Sequence, residues 1–389
     1  MKILFIGDYS NLHACLAKEL KSRGHDVTVL SDRGGYMQTH SDIYIPRRPG
    51  PIGGLVYLAR VLAVLPRLKG YDVVQLINPN FLSLKPAKLR YIFNRLGAQN
   101  HSIFLTLAGN DYFFVRECMK GRMFRFSEFR VGDKPTEFYR VDPGFADGWM
   151  AEVNRDWNQY VYDRINGAMS VLPEYDMAAR PILGNRLLFT NLPIDLSSLP
   201  YRPLKIEGPL KIFIGIKEEM AVEKGTARML AILRELEAEM PGKLIVEVAS
   251  NLPLNVYLEK LRNSHLVLDQ LYSYSPATNA LQAMALGPVA GSGAEPEYWQ
   301  YLVDREFSPA KTDLPIFHLS PLLPDLKERL RALIIDPSPL IRMSTKARKL
   351  VERHNDVRVV ADRFLAFWQK RTLEVLCNTP QIRGKDESP

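Results

Sequence analysis

Cysteine is scarce in this 389-residue chain: Cys15, Cys118 and Cys377 are the only three. Scattered, odd in number and without metal-type spacing, they exclude a disulfide framework and a zinc site, and they point to a reducing compartment. Long apolar runs are missing as well. No window reaches the roughly 18 uncharged apolar residues of a membrane-spanning helix. The nearest, Gly53 to Leu68, is broken by Arg60, Pro66 and Arg67. The opening Met1-Lys2-Ile3-Leu4-Phe5-Ile6-Gly7-Asp8 has too short an apolar run for a signal peptide, so a cytoplasmic chain is expected. At 46% hydrophobic and 24% charged residues, the composition excludes intrinsic disorder and collagen-like chains. The net charge of +8 is mild. It suits an anionic small molecule or an anionic membrane surface better than nucleic acid, and on charge alone a solvated basic face is the simpler reading.

What is present is alternation. Apolar strand-like runs at Lys2–Gly7, Asp26–Ser31, Asp72–Ile77, Ser102–Ala108, Ala168–Leu172 and Leu187–Asn191 are separated by helical stretches such as Asn11–Arg23, Gly53–Leu68 and Lys85–Leu96. Strands apolar on both faces, separated by helices, imply a parallel sheet covered on both sides. The segment from Leu196 to Pro209, with Pro200, Pro203 and Pro209, reads as a linker. After it the alternation restarts. The expected architecture is α/β, with two Rossmann-like doubly wound domains facing a cleft: residues 1–200, then 208–356. A long amphipathic helix over 357–376 is expected to pack back on the first domain.

Four turns in this pattern can carry chemistry. Ser275 and Pro276 suit the start of a helix, whose free N–H groups make an anion site to which Thr278 and Asn279 add donors. The plain alternative is an ordinary capped helix. Lys217 and Lys224 lie on a strand-to-helix connection, where cations can neutralise a diphosphate or simply face water; the glycine spacing of a Walker loop is absent. The first turn, Gly7 to His13, lacks G-x-G-x-x-G, so a dinucleotide cofactor is not expected. There His13 is a candidate base and Asn11 an acceptor-side contact, or both are packing and cap residues. At Leu107-Ala108-Gly109-Asn110-Asp111, Asp111 can deprotonate a hydroxyl with Asn110 beside it, or cap the following turn.

Longer runs carry a resemblance. Asn279-Ala280-Leu281-Gln282-Ala283-Met284-Ala285-Leu286-Gly287-Pro288-Val289 looks like an L-E-A-M-A-x-G-x-P-V motif, with the P-V one position early. Ser292-Gly293-Ala294-Glu295-Pro296-Glu297 looks like the glycine and glutamate turn that follows it. Arg23-Gly24-His25-Asp26-Val27 and Asn191-Leu192-Pro193-Ile194-Asp195 are weaker echoes. In these runs, from Met1 to about Trp368, the chain resembles the retaining GT-B glycosyltransferases, most closely the family 4 group. The resemblance implies transfer of a sugar from a nucleotide sugar to a hydroxyl of a glycan or lipid-linked acceptor, in polysaccharide biosynthesis. It implies a donor site of Lys217, Lys224, Tyr274, Ser275, Thr278, Asn279, Gln282 and Glu295. It also implies chemistry without a protein nucleophile, cofactor or metal, the leaving diphosphate itself taking the acceptor's proton. The sequence departs from the family at two motif glutamates, where Tyr274 and Gln282 stand. A nucleotide-sugar epimerase and a sugar-nucleotide-binding pseudoenzyme or scaffold are therefore the alternatives.

Met119 to Trp149 has no clean period. It carries Arg122, Arg125, Arg130 and Arg140 among Phe124, Phe126, Phe129, Phe138 and Tyr139. Two readings are open for it: an acceptor-side loop resting on an anionic membrane, or a folded subdomain that buries the phenylalanines.

Overall fold

A computed structural model describes residues 1–32, 41–217, 220–250, 252–304 and 314–378, with side chains as far as Glu374. The first part of the chain runs β1 (Lys2–Ile6), α1 (Leu12–Ser22), β2 (Asp26–Ser31), β3 (Ile43–Tyr44), α2 (Gly50–Val64), β4 (Val73–Leu76), α3 (Pro86–Gln99), β5 (Ile103–Leu107) and α4 (Tyr112–Lys120). A small hairpin follows, β6 (Arg130–Val131) with β7 (Lys134–Pro135). Then come α5 (Glu137–Val141), α6 (Pro143–Met150), α7 (Glu152–Arg164), β8 (Gly167–Ser170), α8 (Pro173–Leu183) and β9 (Leu187–Phe189). The second part runs β10 (Leu210–Gly215), α9 (Thr226–Glu239), β11 (Leu244–Ala249), α10 (Leu254–Arg262), β12 (Leu266–Leu268), α11 (Thr278–Leu286), β13 (Val289–Ser292), α12 (Pro296–Val303) and β14 (Ile316–His318). It closes with α13 (Leu326–Ile335), α14 (Ser338–His354) and α15 (Val357–Asn378).

The strands form two sheets, ordered β3-β2-β1-β4-β5-β8-β9 and β11-β10-β12-β13-β14, and every pairing in both is parallel. Strands β4, β5, β8, β12 and β13 are buried along their whole length, as sheets covered by helices on both faces require. In each sheet the strand order reverses at the first strand, beside β4 in one and β12 in the other. A crevice opens at the carboxyl ends there.

Helix α15 returns to the first domain, against α1 and β8. It buries Val360, Phe364, Phe367 and Trp368. The Trp368 indole donates to Gln75 Oε1 on β4 at 2.9 Å, and Arg23 at the end of α1 pairs with Asp362 at 2.5 Å. The chain crosses between the sheets near Ile194, whose N–H reaches Asn355 O and whose carbonyl accepts from Val357 N.

One feature departs from the sequence expectation, and another decides between two open readings. Helix α11 starts at Thr278 with Ala277 as its N-cap, so Ser275 does not cap it. The stretch from Met119 to Trp149 is folded, with a hairpin turning at Gly132 (φ +57°) and two short helices. Two-residue strands and a five-residue helix are too short to print a period on the sequence. Phe124, Phe126 and Phe129 are buried there, so the stretch does not offer them to a membrane. Cys15 and Cys118 are free and buried; Cys377 lies outside the described side chains. Among the described residues, no helix is long and apolar enough to cross a membrane.

Candidate active site

The crevices of the two sheets face each other across a cavity of about 1020 Å³. From the first sheet, turns at the carboxyl ends of β1, β4, β5 and β8 bring Tyr9, Asn80, Asn110 and Glu174. From the second, the ends of β10 and β12 bring Glu223, Lys224, Gln270 and Tyr274. The turns are held by their own residues. Asn78 donates to the carbonyls of Ala108 and Asn110 at 2.9 and 3.1 Å, which fixes the Gly109–Asn110 turn beside Tyr9. Gly225 (φ +71°) starts α9 where a Cβ would lie 2.8 Å from that of Leu271. Only glycine accommodates both restrictions, and Lys224 is thereby set against the 271–274 loop.

Of the residues singled out from sequence, the structure brings Asn110, Lys224 and Tyr274 to this cavity. Lys224 stands beside two acids whose ionisation it favours: the buried Asp269, and Glu223, which also feels Lys217. Burial outweighs that help, and both carboxyls sit above their ordinary range. Lys217 is exposed at the end of β10. Thr278 is half-buried at the start of α11, whose N-cap Ala277 lines the cavity. Asn279 is spent within the second sheet's own layer, accepting from Tyr257 at 2.6 Å and donating to Asp269 at 3.1 Å. Gln282 is half-buried on the second turn of α11, outside the cavity lining. Asn11 adopts a left-handed conformation (φ +65°) and lines a separate depression with Lys18 and Asp195.

Two residues assigned chemistry from sequence are placed in the core instead. His13 is fully buried. Its Nδ1 lies 2.7 Å from Gly7 O, a carbonyl that only accepts, so Nδ1 carries the proton. Nε2 then accepts from Thr106 Oγ1 at 3.0 Å, and that hydroxyl takes the Gln75 amide at 2.9 Å. With Trp368 on Gln75, this is a satisfied chain of hydrogen bonds through the first sheet. Burial lowers the His13 pKa to about 3, so the ring stays neutral. Asp111 caps α4 by accepting from Phe114 N at 2.8 Å, and it accepts from the Tyr162 hydroxyl at 2.6 Å. Both its oxygens are committed to structure, and neither residue lines the cavity.

Sequence reasoning missed how the two halves are joined across the cavity, and it missed Glu174 altogether. Glu174, in the first turn of α8, is buried and reaches into the other sheet's 273–275 loop. It accepts from Tyr274 N at 2.9 Å, Ser275 N at 3.0 Å, Ser275 Oγ at 2.8 Å and Ser273 Oγ at 3.3 Å. Ser275 is therefore held by a carboxylate of this chain. Arg125 extends from the folded insertion to Glu297 at 2.9 and 2.8 Å and to Glu295 at 2.6 Å. Burial alone would raise the Glu295 pKa, but hydrogen bonds from His318, Ser320 and Arg125 bring it below its ordinary value. Tyr274 stacks on Phe126 with centroids 4.4 Å apart, and its hydroxyl accepts from Phe126 N at 3.1 Å. Gly293 permits this loop packing, since a Cβ there would sit 2.1 Å from Ser273 O. Glu128 lines the cavity from the same insertion, its carboxyl pushed up to about 7 by burial, with Glu223 and Glu174 adding to the rise. No motif marks Glu128 or Glu174 in the sequence. Among the described residues, no group of acids, histidines and cysteines is arranged to hold a metal ion.

No family model matches the chain, and no curated protein matches it in sequence. Solved structures do match. A sucrose-phosphate synthase from Thermosynechococcus elongatus superposes with a TM-score of 0.61 at 11% identity, over 96% of this chain and all of that one. A glycosyltransferase from Rickettsia africae gives 0.56 at 12% identity, over 95% and 97%. Anabaena HepE, solved with UDP-glucose, gives 0.53 at 13% identity, over 97% and 99%. The likeness is one of fold along nearly the whole chain: two parallel-sheet domains facing a cleft, the GT-B architecture.

Proposed function

We propose that the chain is a glycosyltransferase that moves a sugar from a nucleotide sugar to a hydroxyl of a glycan or lipid-linked acceptor in polysaccharide biosynthesis. The observation that carries this reading is the cavity at the facing carboxyl ends of two parallel sheets, with a lysine on the second-sheet side. The fold is shared with a protein solved with UDP-glucose, which supports a sugar donor. In this reading the second sheet holds the donor. Lys224 and the first turn of α11 offset the charge that builds on the leaving diphosphate. The first sheet holds the acceptor, with Asn110 beside the transferring carbon. Retention of configuration is part of the proposal, the departing diphosphate accepting the hydroxyl's proton. The N–H groups of Tyr274 and Ser275 belong to Glu174, so the diphosphate is assigned to Lys224 and to backbone from Ala277 onward.

Incubation with a panel of nucleotide sugars tests the reading. The expected outcome is slow release of nucleoside diphosphate without acceptor, faster release with a matching one, and a product of the donor's anomeric configuration by NMR. Formation of an isomeric nucleotide sugar would identify an epimerase. Binding with no turnover across the panel, acceptors included, would overturn transfer in favour of a binding protein.

A further inference from the structure

One segment of the first domain is strongly basic. Between Ile43 and Asn110 there are nine basic residues and a single acid, Asp72, a local net of +8 that equals the net charge of the entire chain. Five of the bases lie on and around α2 (Arg47, Arg48, Arg60, Arg67 and Lys69), and four on α3 (Lys85, Lys88, Arg90 and Arg95). All nine side chains are exposed, and among the described residues none is ion-paired with an acid. The two helices are tied at their ends, where Gln99 and Asn100 donate to Leu68 O at 2.7 and 3.0 Å.

Helix α2 is also apolar on both sides. Its inner stripe, Tyr57 and Val61, is buried, and the Tyr57 hydroxyl is pinned to Asp32 at 2.6 Å. Its outer stripe holds Ile52, Leu55, Val56 and Leu62 at helical spacing. Ile52 is 78% and Leu55 67% exposed. Tyr91 of α3 adds a half-exposed aromatic ring. A soluble surface helix shows polar residues to water; apolar residues clustered there mark a surface that meets something apolar.

We propose that the α2–α3 face docks on an anionic lipid bilayer, with the outer stripe of α2 entering the headgroup boundary and the surrounding arginines and lysines on the lipid phosphates. Charge complementarity selects this occupant. A strongly cationic rim around protruding aliphatic side chains matches a negative interface over hydrocarbon. A second copy of the same face would bring nine unpaired cations against nine. Lys85, at the start of α3, also lines the interdomain cavity, so the docked face adjoins the cavity mouth. That a lipid-borne acceptor enters there rests on the transfer reading; the docking itself does not.

The experiment is co-sedimentation of the whole protein with phosphatidylcholine vesicles, with and without phosphatidylglycerol. Wild type should bind the anionic vesicles at low salt, ignore the neutral ones, and release at high salt. Arg47→Glu with Arg48→Glu should weaken binding at least about tenfold. Ile52→Ser with Leu55→Ser should weaken it comparably, while thermal melting and nucleotide binding stay as in wild type, because both side chains face water. Equal binding to neutral and anionic vesicles, no binding to either, or full binding by both variants would overturn the proposal. So would a concentration-dependent dimer abolished by the Ile52 and Leu55 changes without vesicle binding, which would assign the face to a second copy. No readout depends on turnover, so an inactive enzyme that binds vesicles refutes the transfer reading alone.

Discussion

At the scale of single residues, charge placement in the cavity makes two testable statements. Lys224→Ala removes the cation nearest the second-sheet crevice. Its loss should weaken nucleoside diphosphate binding by about 1.5–3 kcal/mol, the range for a hydrogen bond to a charged group, read by calorimetry. Unchanged affinity would move the diphosphate elsewhere. Glu128 has its pKa raised from 4.5 to about 7 in the folded chain. A carboxyl raised in this way favours the fold when protonated. The contribution of Glu128 to stability is therefore highest below pH 4.5, falls as the pH rises through the window from 4.5 to about 7, and is level above it. Glu128→Gln should leave stability unchanged at pH 4 and raise it by about 1–3 kcal/mol at pH 8, because each tenfold change in proton affinity corresponds to roughly 1.4 kcal/mol. Glu174 and Glu223 are raised in the same sense, so the variant's profile is flatter than wild type without being flat. Parallel pH profiles for variant and wild type would show that Glu128 meets water freely.

At the scale of elements, the first turn of α8 and the folded insertion hold the second sheet's 272–275 loop. Three kinds of contact converge there: the Glu174 hydrogen bonds, the Arg125 ion pairs and the Phe126–Tyr274 stack. Glu174→Ala leaves the Tyr274 and Ser275 N–H groups without their acceptor in a buried place, at a cost of about 2–4 kcal/mol. Glu174→Gln keeps an accepting oxygen and should cost less. Hydrogen exchange should accelerate at 273–275 in the alanine variant and leave β10 and β11 unaffected. Exchange that speeds up everywhere would mean that the contact stabilises the fold globally and not this junction. The Arg125 pairs are more than one-third exposed on the arginine side, so their contribution is modest and salt-dependent.

At the scale of the whole molecule, α15 and the Ile194–Val357 crossing join the two sheets into one unit. Trp368 and Phe364 are fully buried against the first sheet although they follow the second in sequence. Trp368→Ala removes a large buried ring and leaves the Gln75 amide oxygen unpaired, a loss of about 3–5 kcal/mol. Calorimetry should show the melting temperature of the first domain fall. A variant melting like wild type would place α15 outside that core.

The two parallel sheets and most of their strands are legible in the sequence, although the two-residue β3 and the three-residue β14 are not. These are written in short-range patterns: apolar runs for buried strands and 3.6-residue spacing for helices. Tertiary structure decided which candidates meet. His13 and Asp111 sit at the right ends of the right strands, yet the first closes a hydrogen-bond chain to Trp368 and the second is taken by Tyr162, 51 residues on. Glu174 contacts a loop 99 to 101 positions away. Such pairings arise from the docking of two domains, which no local period encodes. The outer stripe of α2 shows the same limit from the other side. In the sequence this stretch reads only as a helix between strands, and the packed structure shows that nothing of the described protein covers Ile52 and Leu55.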